Sequence, residues 1–228
     1  MPIFFQQDID ESTKLAIWKI EEEESFFLNQ VPLQREITHP HKRLQHLAGR
    51  YLLKYLFPDF PIALILIADT RKPYLEDEAY HFSISHCGDY AAVVVSREKR
   101  VGIDIEIASE KVNRIRHKFI SEEEDKMLNV QCSMFNAQLI SKPKTDSTSQ
   151  PLRLSTFTST LIWSCKEAAF KWYGWGGIDF KEHMKVQQII RSNEKSLETI
   201  MIFRKKEAVF LHLHSWFFDE LCLSYVCT

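Results

Sequence analysis

Two acidic side chains stand two residues apart in the segment VGIDIEI, residues 101–107. Apolar residues alternate there with Gly102, Asp104 and Glu106, which is typical of a strand that buries one face. Both carboxylates then point to the opposite face, roughly 6 to 7 Å apart along the strand, and could bind one cation. For such a pair alone, a half-exposed strand whose acids face water is the favoured explanation. Gly102 indicates a close approach by another backbone or a ligand.

A second charged group lies in WSCKEAAFKWYGWGG, residues 163–177. Helical spacing brings Glu167 and Lys171 to the same stripe as Trp163 and Phe170. An exposed pair of Glu167 and Lys171 would contribute only about 0.3 to 0.5 kcal/mol. Burial of an ionised carboxylate beside aromatic rings costs more than that pair recovers, unless a cation compensates it. We therefore expect a metal ion or Lys171 close to Glu167.

Length and composition are those of an ordinary globular protein, with 228 residues, 45% of them hydrophobic and 26% charged. The formal net charge of -2 argues against nucleic-acid binding. The first residues do not resemble a signal peptide, and the longest aliphatic run, residues 62–68, is too short to cross a membrane. The five cysteines form no CxxC pair, which favours reduced thiols. We expect a cytoplasmic monomer that contacts neither membrane nor nucleic acid.

The pattern along the chain predicts a helix over residues 40–57, a strand over residues 61–70, and then three strands within residues 79–107 that form an antiparallel meander. Arg43, Arg50 and Lys54 share one stripe of this helix, for which a solvated basic face is the favoured explanation. Ser121 and Glu124 form a capping box that begins another helix. The polar residues 141–160 predict a loop or insertion. A helix near residue 163 and a second set of strands follow.

The order helix, strands, helix, strands predicts an α+β fold with two similar, pseudo-symmetric halves, residues 1–101 and 102–228. Each half is expected to pack a helix on a small antiparallel sheet. The segments GRYLLKYLF and KEAAFKWYG support this symmetry weakly, since Arg50 aligns with Glu167 and Lys54 with Lys171. We expect the active site at the interface of the halves.

The segments GIDIE, KFISEEE and WSCKEAAFK together resemble the 4′-phosphopantetheinyl transferases of the two-domain, surfactin-synthetase-activating type. The family signature combines a (V/I)G(I/V)D(I/V)E strand with a W-x-x-KE-(A/S)-x-x-K helix, and every position is filled here. Upstream, RKPYL and HFSISHCGDY are similar to the family's GKP element and F-x-(I/L)-SH strand. The resemblance therefore covers most of residues 43–180. Arg71 stands in place of the glycine of GKP, a departure that changes the turn or adds a phosphate contact.

The resemblance implies a Mg²⁺-dependent transfer of 4′-phosphopantetheine from coenzyme A to a serine of an apo carrier protein, with 3′,5′-ADP as the leaving group. The family's metal ligands correspond to Asp104, Glu106 and Glu167, and carboxylates together with phosphate oxygens suit Mg²⁺. Lys166 and Lys171 are the candidates that stabilise charge on the diphosphate during catalysis. The base that takes the serine proton is either Glu167 or a metal-bound water.

The same resemblance assigns coenzyme A contacts to the first half, and metal binding and carrier docking to the second. The 3′-phosphate and adenosine would be held by Arg50, Lys72 and His86, with Arg43 as a weaker candidate. The same pocket would be lined by Pro73 and Ser85. The run RIRHK, residues 114–118, either docks an acidic carrier protein or is a solvated charge run.

Two alternatives to a transferase stay open. One is a catalytically silent module that binds coenzyme A or a carrier protein, and the other is a metal-dependent hydrolase of phosphoesters. The complete set of signature acids argues against the first, and no hydrolase signature supports the second.

Overall fold

The structure is a computed structural model, and it describes residues 3–128, 154–193 and 195–228. Helices and small antiparallel sheets alternate along the chain, which confirms the predicted α+β class. Contacts group the chain into two compact units. The first consists of Met1–Ile105, Ala168–Gly176 and Tyr225–Thr228, and the second of Glu106–Glu167 and Gly177–Ser224. The boundary between residues 101 and 102 stays a prediction.

The elements are numbered in chain order. The strands are β1 Ile3–Asp8, β2 Thr13–Lys19, β3 Leu66–Ile67, β4 Pro73–Tyr74, β5 His81–Cys87, β6 Tyr90–Ser96, β7 Val101–Ile107, β8 Met184–Arg191, β9 Ser196–Arg204, β10 Ala208–Phe218 and β11 Leu221–Cys227. The helices are α1 Glu24–Leu28, α2 Pro40–Leu56, α3 Glu110–Arg114, α4 with described residues 122–128, and α5 Leu154–Tyr173. Short 3₁₀ turns cover Ile62–Leu64 and Arg116–Lys118.

The first unit contains a four-stranded sheet in the order β1-β2-β6-β5. Helix α2 begins with Pro40, whose missing N–H costs nothing at the first helical position, and the chain leaves the helix at Phe57, just before Pro58. Its apolar face buries Leu47 and Leu53 in the core that also contains Trp18 and Val93. The α2 helix and the β5–β6 hairpin form as the sequence predicts.

The turn between β3 and β4 contains the departure from the GKP element. Arg71 has φ 65°, a left-handed conformation that favours glycine, so the turn is kept although the residue has a side chain. The cost of this conformation for a residue other than glycine is about 1 kcal/mol.

The second sheet has the strand order β7-β11-β10-β9-β8. The predicted meander of three strands is therefore wrong at its last member, because β7 belongs to this sheet and not to that of β5 and β6. Serine side chains explain the change. The backbone N–H groups of Ile103 and Ile105 donate to the hydroxyls of Ser83 and Ser85, at 3.2 and 3.3 Å, so side chains on β5 serve as acceptors in place of carbonyls.

Helix α5 begins at Leu154, well before the predicted helix near residue 163. Residues 154–160 of the predicted polar loop are thus helical, and residues 141–153 lie outside the described residues. Four hydroxyl side chains in the first turns of this helix are buried, which polar composition alone does not reveal: Thr156, Thr158, Ser159 and Thr160. Thr160 donates to the carbonyl of Thr156 at 2.8 Å, and Ser159 donates to Asn113 at 2.9 Å.

Gly102 confirms the expected close approach on β7. A Cβ at this position would lie 2.1 Å from the carbonyl oxygen of Ala168 and 2.6 Å from the backbone nitrogen of Trp172. The last turns of α5 therefore lie directly against β7, and this contact brings the helix side chains to Asp104. Among the described residues, no helix is both long enough and apolar enough to cross a membrane.

Candidate functional site

A charged cluster in the first unit joins three of the predicted site residues. The Lys171 ammonium donates to Asp104 Oδ1 at 2.7 Å and to Ser85 Oγ at 2.8 Å. The Ser85 hydroxyl in turn donates to Asp104 Oδ1 at 2.8 Å. Asp104 is only 3% exposed, and burial strengthens its attraction to the ammonium. Lys171, one of the two cations that the sequence allows beside Glu167, thus contacts Asp104.

Three elements position this cluster. Asp104 lies on β7, Ser85 on β5 at the edge of the first sheet, and Lys171 in the last turn of α5. The Ser85 hydroxyl also accepts from the backbone N–H of Ile105, which fixes its rotamer. An ammonium has three donors, and Lys171 uses two of them on described residues, so the third can bind an oxygen of a ligand.

The other two predicted metal ligands belong to the second unit. Trp163 Nε1 donates to Glu106 Oε1 at 3.1 Å. The indole packs edge-on against Phe119, with ring centroids 5.0 Å apart, and this contact fixes its orientation. Glu167 is half-buried on α5. Within the described residues, no group of three or more acidic, histidine or cysteine side chains is arranged to hold a metal ion, and the magnesium assignment stays a prediction.

Lys166 lies in a position that differs from the prediction. Its side chain is 0% exposed and its ammonium donates to the carbonyls of Phe119 and Phe180, at 2.6 and 3.0 Å. It also pairs with the Glu124 carboxylate at 2.8 Å. Burial lowers the pKa of Lys166, while Glu124 opposes that change. All three donors are used inside the second unit, so Lys166 supports the fold and does not face phosphate.

Lys72 and Pro73 line a cavity of about 530 Å³ in the first unit. Aromatic side chains form much of its wall, among them Tyr80 and Trp175, and Arg100 adds a second cation. Burial, and then the charge of Arg100, lower the pKa of Lys72 to about 8. Lys72 makes no hydrogen bond or ion pair with the described residues. A desolvated cation of this kind attracts an anion.

The other predicted coenzyme A contacts have different surroundings. Arg43 pairs with Glu24 at 2.7 Å, which neutralises its charge. Arg50 is 5% exposed, so the predicted solvated basic face is wrong at this residue, although Lys54 is exposed. His86 is exposed on β5, yet its pKa is lowered, first by desolvation from neighbouring residues and then by the positive charge of Lys171. The structure therefore joins Ser85 to the charged cluster and leaves the ligand roles of the others as predictions.

The basic run at residues 114–118 is partly internal. Arg116 forms an ion pair with Asp125 and donates to Ser159 at 2.9 Å. Arg114 and Lys118 are exposed and stay available to a partner.

Two further residues form a polar cluster with Arg50 that the sequence did not reveal. His46 and Gln34 both bond to its guanidinium. The spacing of His46 and Arg50, four residues apart on one helix, was a usable signal, because such residues are neighbours on the helix surface. Gln34 lies outside any helix or strand, and its contact has no local sequence signal.

Part of the chain is similar to curated proteins named enterobactin synthase component D. The protein from Escherichia coli (strain K12) is 41% identical over 66 residues, which are 28% of this chain and 31% of that protein. The protein from Salmonella austin is 38% identical over 65 residues, 28% of this chain and 27% of that protein. The chain therefore spans less than a third of the length of the curated relatives that it matches. No protein-family model matches the chain.

Proposed function

We propose that this chain is a Mg²⁺-dependent 4′-phosphopantetheinyl transferase that converts an apo carrier protein to its holo form. The observation that carries the proposal is the cluster of Lys171, Asp104 and Ser85, at 2.7 to 2.8 Å from one another. It brings together residues from three of the signature segments. The partial similarity to proteins named as a component of enterobactin synthase supports an enzyme that serves a synthase.

The substrate for this site is coenzyme A. The serine oxygen of the carrier protein forms a bond to the β-phosphorus, and the bond from that phosphorus to the bridging oxygen breaks. 3′,5′-ADP leaves with the bond electrons, and Glu167 is the candidate on this chain for the base that takes the serine proton. Lys171 would direct its third N–H to a phosphate oxygen and stabilise negative charge on the leaving group.

Three carboxylates are the proposed magnesium ligands: Asp104, Glu106 and Glu167. Their hard oxygen donors suit this ion, and Asp104 already holds a cation, the Lys171 ammonium, at 2.7 Å. Magnesium would supply positive charge to the diphosphate. The Trp163 hydrogen bond would keep the Glu106 carboxylate in one orientation, which prepares it to act as a ligand.

Three further residues are proposed to bind the nucleotide end of coenzyme A: Arg50, Lys72 and His86. A carrier protein with an acidic surface would contact Arg114 and Lys118, which are exposed.

Intact mass spectrometry tests the proposal. The protein is incubated with Mg²⁺, coenzyme A and several apo carrier proteins, and we expect one carrier to gain a phosphopantetheine group. An unchanged carrier together with tight binding of coenzyme A would support a silent binding module. Cleavage of coenzyme A without a modified carrier would support a hydrolase.

The Lys171→Gln variant tests the site itself. We expect kcat to fall by roughly 10² to 10³-fold, the usual effect of removing one donor that stabilises developing charge. Lys185→Gln, at a half-exposed lysine of β8, is the matched control and should keep the parent rate. Equal rates in the two variants would remove Lys171 from the catalytic machinery.

A further inference from the structure

Arg50 is a buried cation that forms no ion pair with any acidic residue in the described part of the chain. Its Nε donates to Gln34 Oε1 and its Nη1 to His46 Nδ1, both at 3.1 Å. Both acceptors are neutral, and in the described part of the chain Arg50 makes no ion pair. Arg43, two turns earlier on the same helix, pairs with Glu24. One helix thus carries one neutralised and one uncompensated guanidinium.

The acceptors hold this guanidinium in one place. Gln34 Nε2 donates to the carbonyl of Ile62 at 2.7 Å, which turns Gln34 Oε1 toward Arg50. A guanidinium can only donate, so His46 Nδ1 must accept, and in the neutral imidazole the proton is then on Nε2. His46 is 7% exposed, and its buried Nε2 makes no hydrogen bond to any described residue.

Within residues 3–128, 154–193 and 195–228, the charged groups that shift the pKa values of this cluster are basic. Burial, and then the charges of Arg50, Arg35 and His86, lower the pKa of His46 to about 3, so its imidazole is neutral. Burial, and then Arg35, lower the pKa of Arg50 to about 10, so its guanidinium stays charged at neutral pH. The cluster therefore offers donors and positive charge without an anion.

Buried donors and charges are normally satisfied, and a site that keeps them unsatisfied is complementary to a ligand that supplies the missing acceptors. A water molecule could accept from His46 Nε2, but it could not compensate a charge. A phosphate group supplies several acceptor oxygens together with negative charge, and a guanidinium matches its geometry.

We propose that His46 is a positioning residue, whose neutral Nδ1 fixes the Arg50 guanidinium, without neutralising it, for a phosphate group of the substrate. The inference rests on the proposed function for the identity of that substrate. The inference goes beyond the proposed function because it assigns a role to His46 and Gln34. An acidic residue at either position would hold the guanidinium equally well, but it would cancel the positive charge.

Three substitutions of His46 separate the possible roles of its two nitrogens, with 3′,5′-ADP and inorganic phosphate as probes in isothermal titration calorimetry. His46→Asn keeps an acceptor near the position of Nδ1, and we expect affinity for 3′,5′-ADP within about threefold of the parent. His46→Gln moves the polar group to the position of Nε2 and should weaken binding by roughly tenfold or more.

His46→Asp gives the most specific result. Its carboxylate can pair with Arg50, so we expect a raised thermal midpoint together with a loss of phosphate affinity larger than in His46→Gln. A residue with only a structural role would change stability and affinity in the same direction.

Unchanged affinity in all three variants would overturn the inference. Retained binding in His46→Gln with loss in His46→Asn would also overturn it, because the ligand would then contact Nε2 directly. Binding is measured without a carrier protein, so a chain that binds 3′,5′-ADP through Arg50 but transfers nothing would contradict the proposed function alone.

Discussion

Two buried cations, one in each unit, differ in what surrounds them. Lys166 on α5 is 0% exposed and contacts a carboxylate and two carbonyls. Arg50 on α2 is 5% exposed, and among the described residues its guanidinium donates hydrogen bonds to a neutral amide and a neutral imidazole. Both are basic residues on helices, and the sequence alone does not show which of them has a counter-ion. A neutralised buried cation stabilises its own fold, whereas an uncompensated one is available to a ligand.

The partners of Lys166 are themselves held by further hydrogen bonds within the fold. Its partner Glu124 also accepts from the backbone N–H of Val186 at 2.9 Å, and from that of Ser121 at 3.0 Å. One carboxylate therefore links α4, α5 and β8. Removing either member leaves the other buried without its partner, and such a residual charge is costly.

The largest expected effect is that of Lys166→Met. Loss of one partner from a buried ion pair should lower the free energy of unfolding by about 3 to 5 kcal/mol, measured by urea denaturation. The control is Lys185→Met, whose pair with Glu123 at the surface is 3.7 Å long and should contribute less than about 1 kcal/mol. A fully stable Lys166→Met protein that has lost only activity would reverse the comparison and restore Lys166 as a phosphate ligand.

The next largest effect is a loss of stability at acidic pH, which we expect from the cluster of Arg50 and His46. The pKa of His46 is about 3 in the folded protein, below its ordinary value of 6.5, so the unfolded chain binds the proton more readily. Stability is therefore fully present above pH 6.5 and is lost as the pH falls toward 3. Near pH 5.5 the loss from this group should be about 1.4 kcal/mol.

Urea denaturation at pH 7.0 and 5.5 measures this loss, and His46→Asn should remove it. From the described part of the chain, three basic groups act on His46: Arg50 on its own helix, Arg35 from the segment before α2, and His86 on β5. None of them favours protonation. An equal loss in the parent and in His46→Asn would mean that His46 is protonated in the folded protein, and Arg50 would then need another acceptor.

Much of the framework around these clusters could be predicted from local patterns. Gly102 indicated a close approach, and α5 lies there. The capping box at Ser121 was also predicted, and Glu124 closes it with hydrogen bonds of 3.0 and 3.2 Å. Such features depend on residues that are close in the chain or on a single residue type, so they can be predicted from the sequence.

The identity of each charge partner could not be predicted. Helical periodicity places Arg50 and Lys166 on particular stripes, but it does not say which long side chain turns inward or what it meets there. Glu124 lies 42 residues from Lys166 in the chain, and Gln34 lies 16 from Arg50. The departure of β7 from the β5–β6 sheet has a related cause, because serine side chains compete with carbonyls for its N–H groups.

The smallest expected change in stability is that of Arg50→Met, and it sharpens the comparison most. The variant loses two hydrogen bonds to neutral acceptors, each worth about 1 kcal/mol, but it also removes a buried charge that lacks a counter-ion. These terms oppose each other, so we expect a free energy of unfolding within about 1 kcal/mol of the parent. Binding of 3′,5′-ADP should be lost, as calorimetry can show. If Arg50→Met were instead as destabilising as Lys166→Met, both cations would be structural, and burial without a counter-ion would not indicate a ligand in this protein.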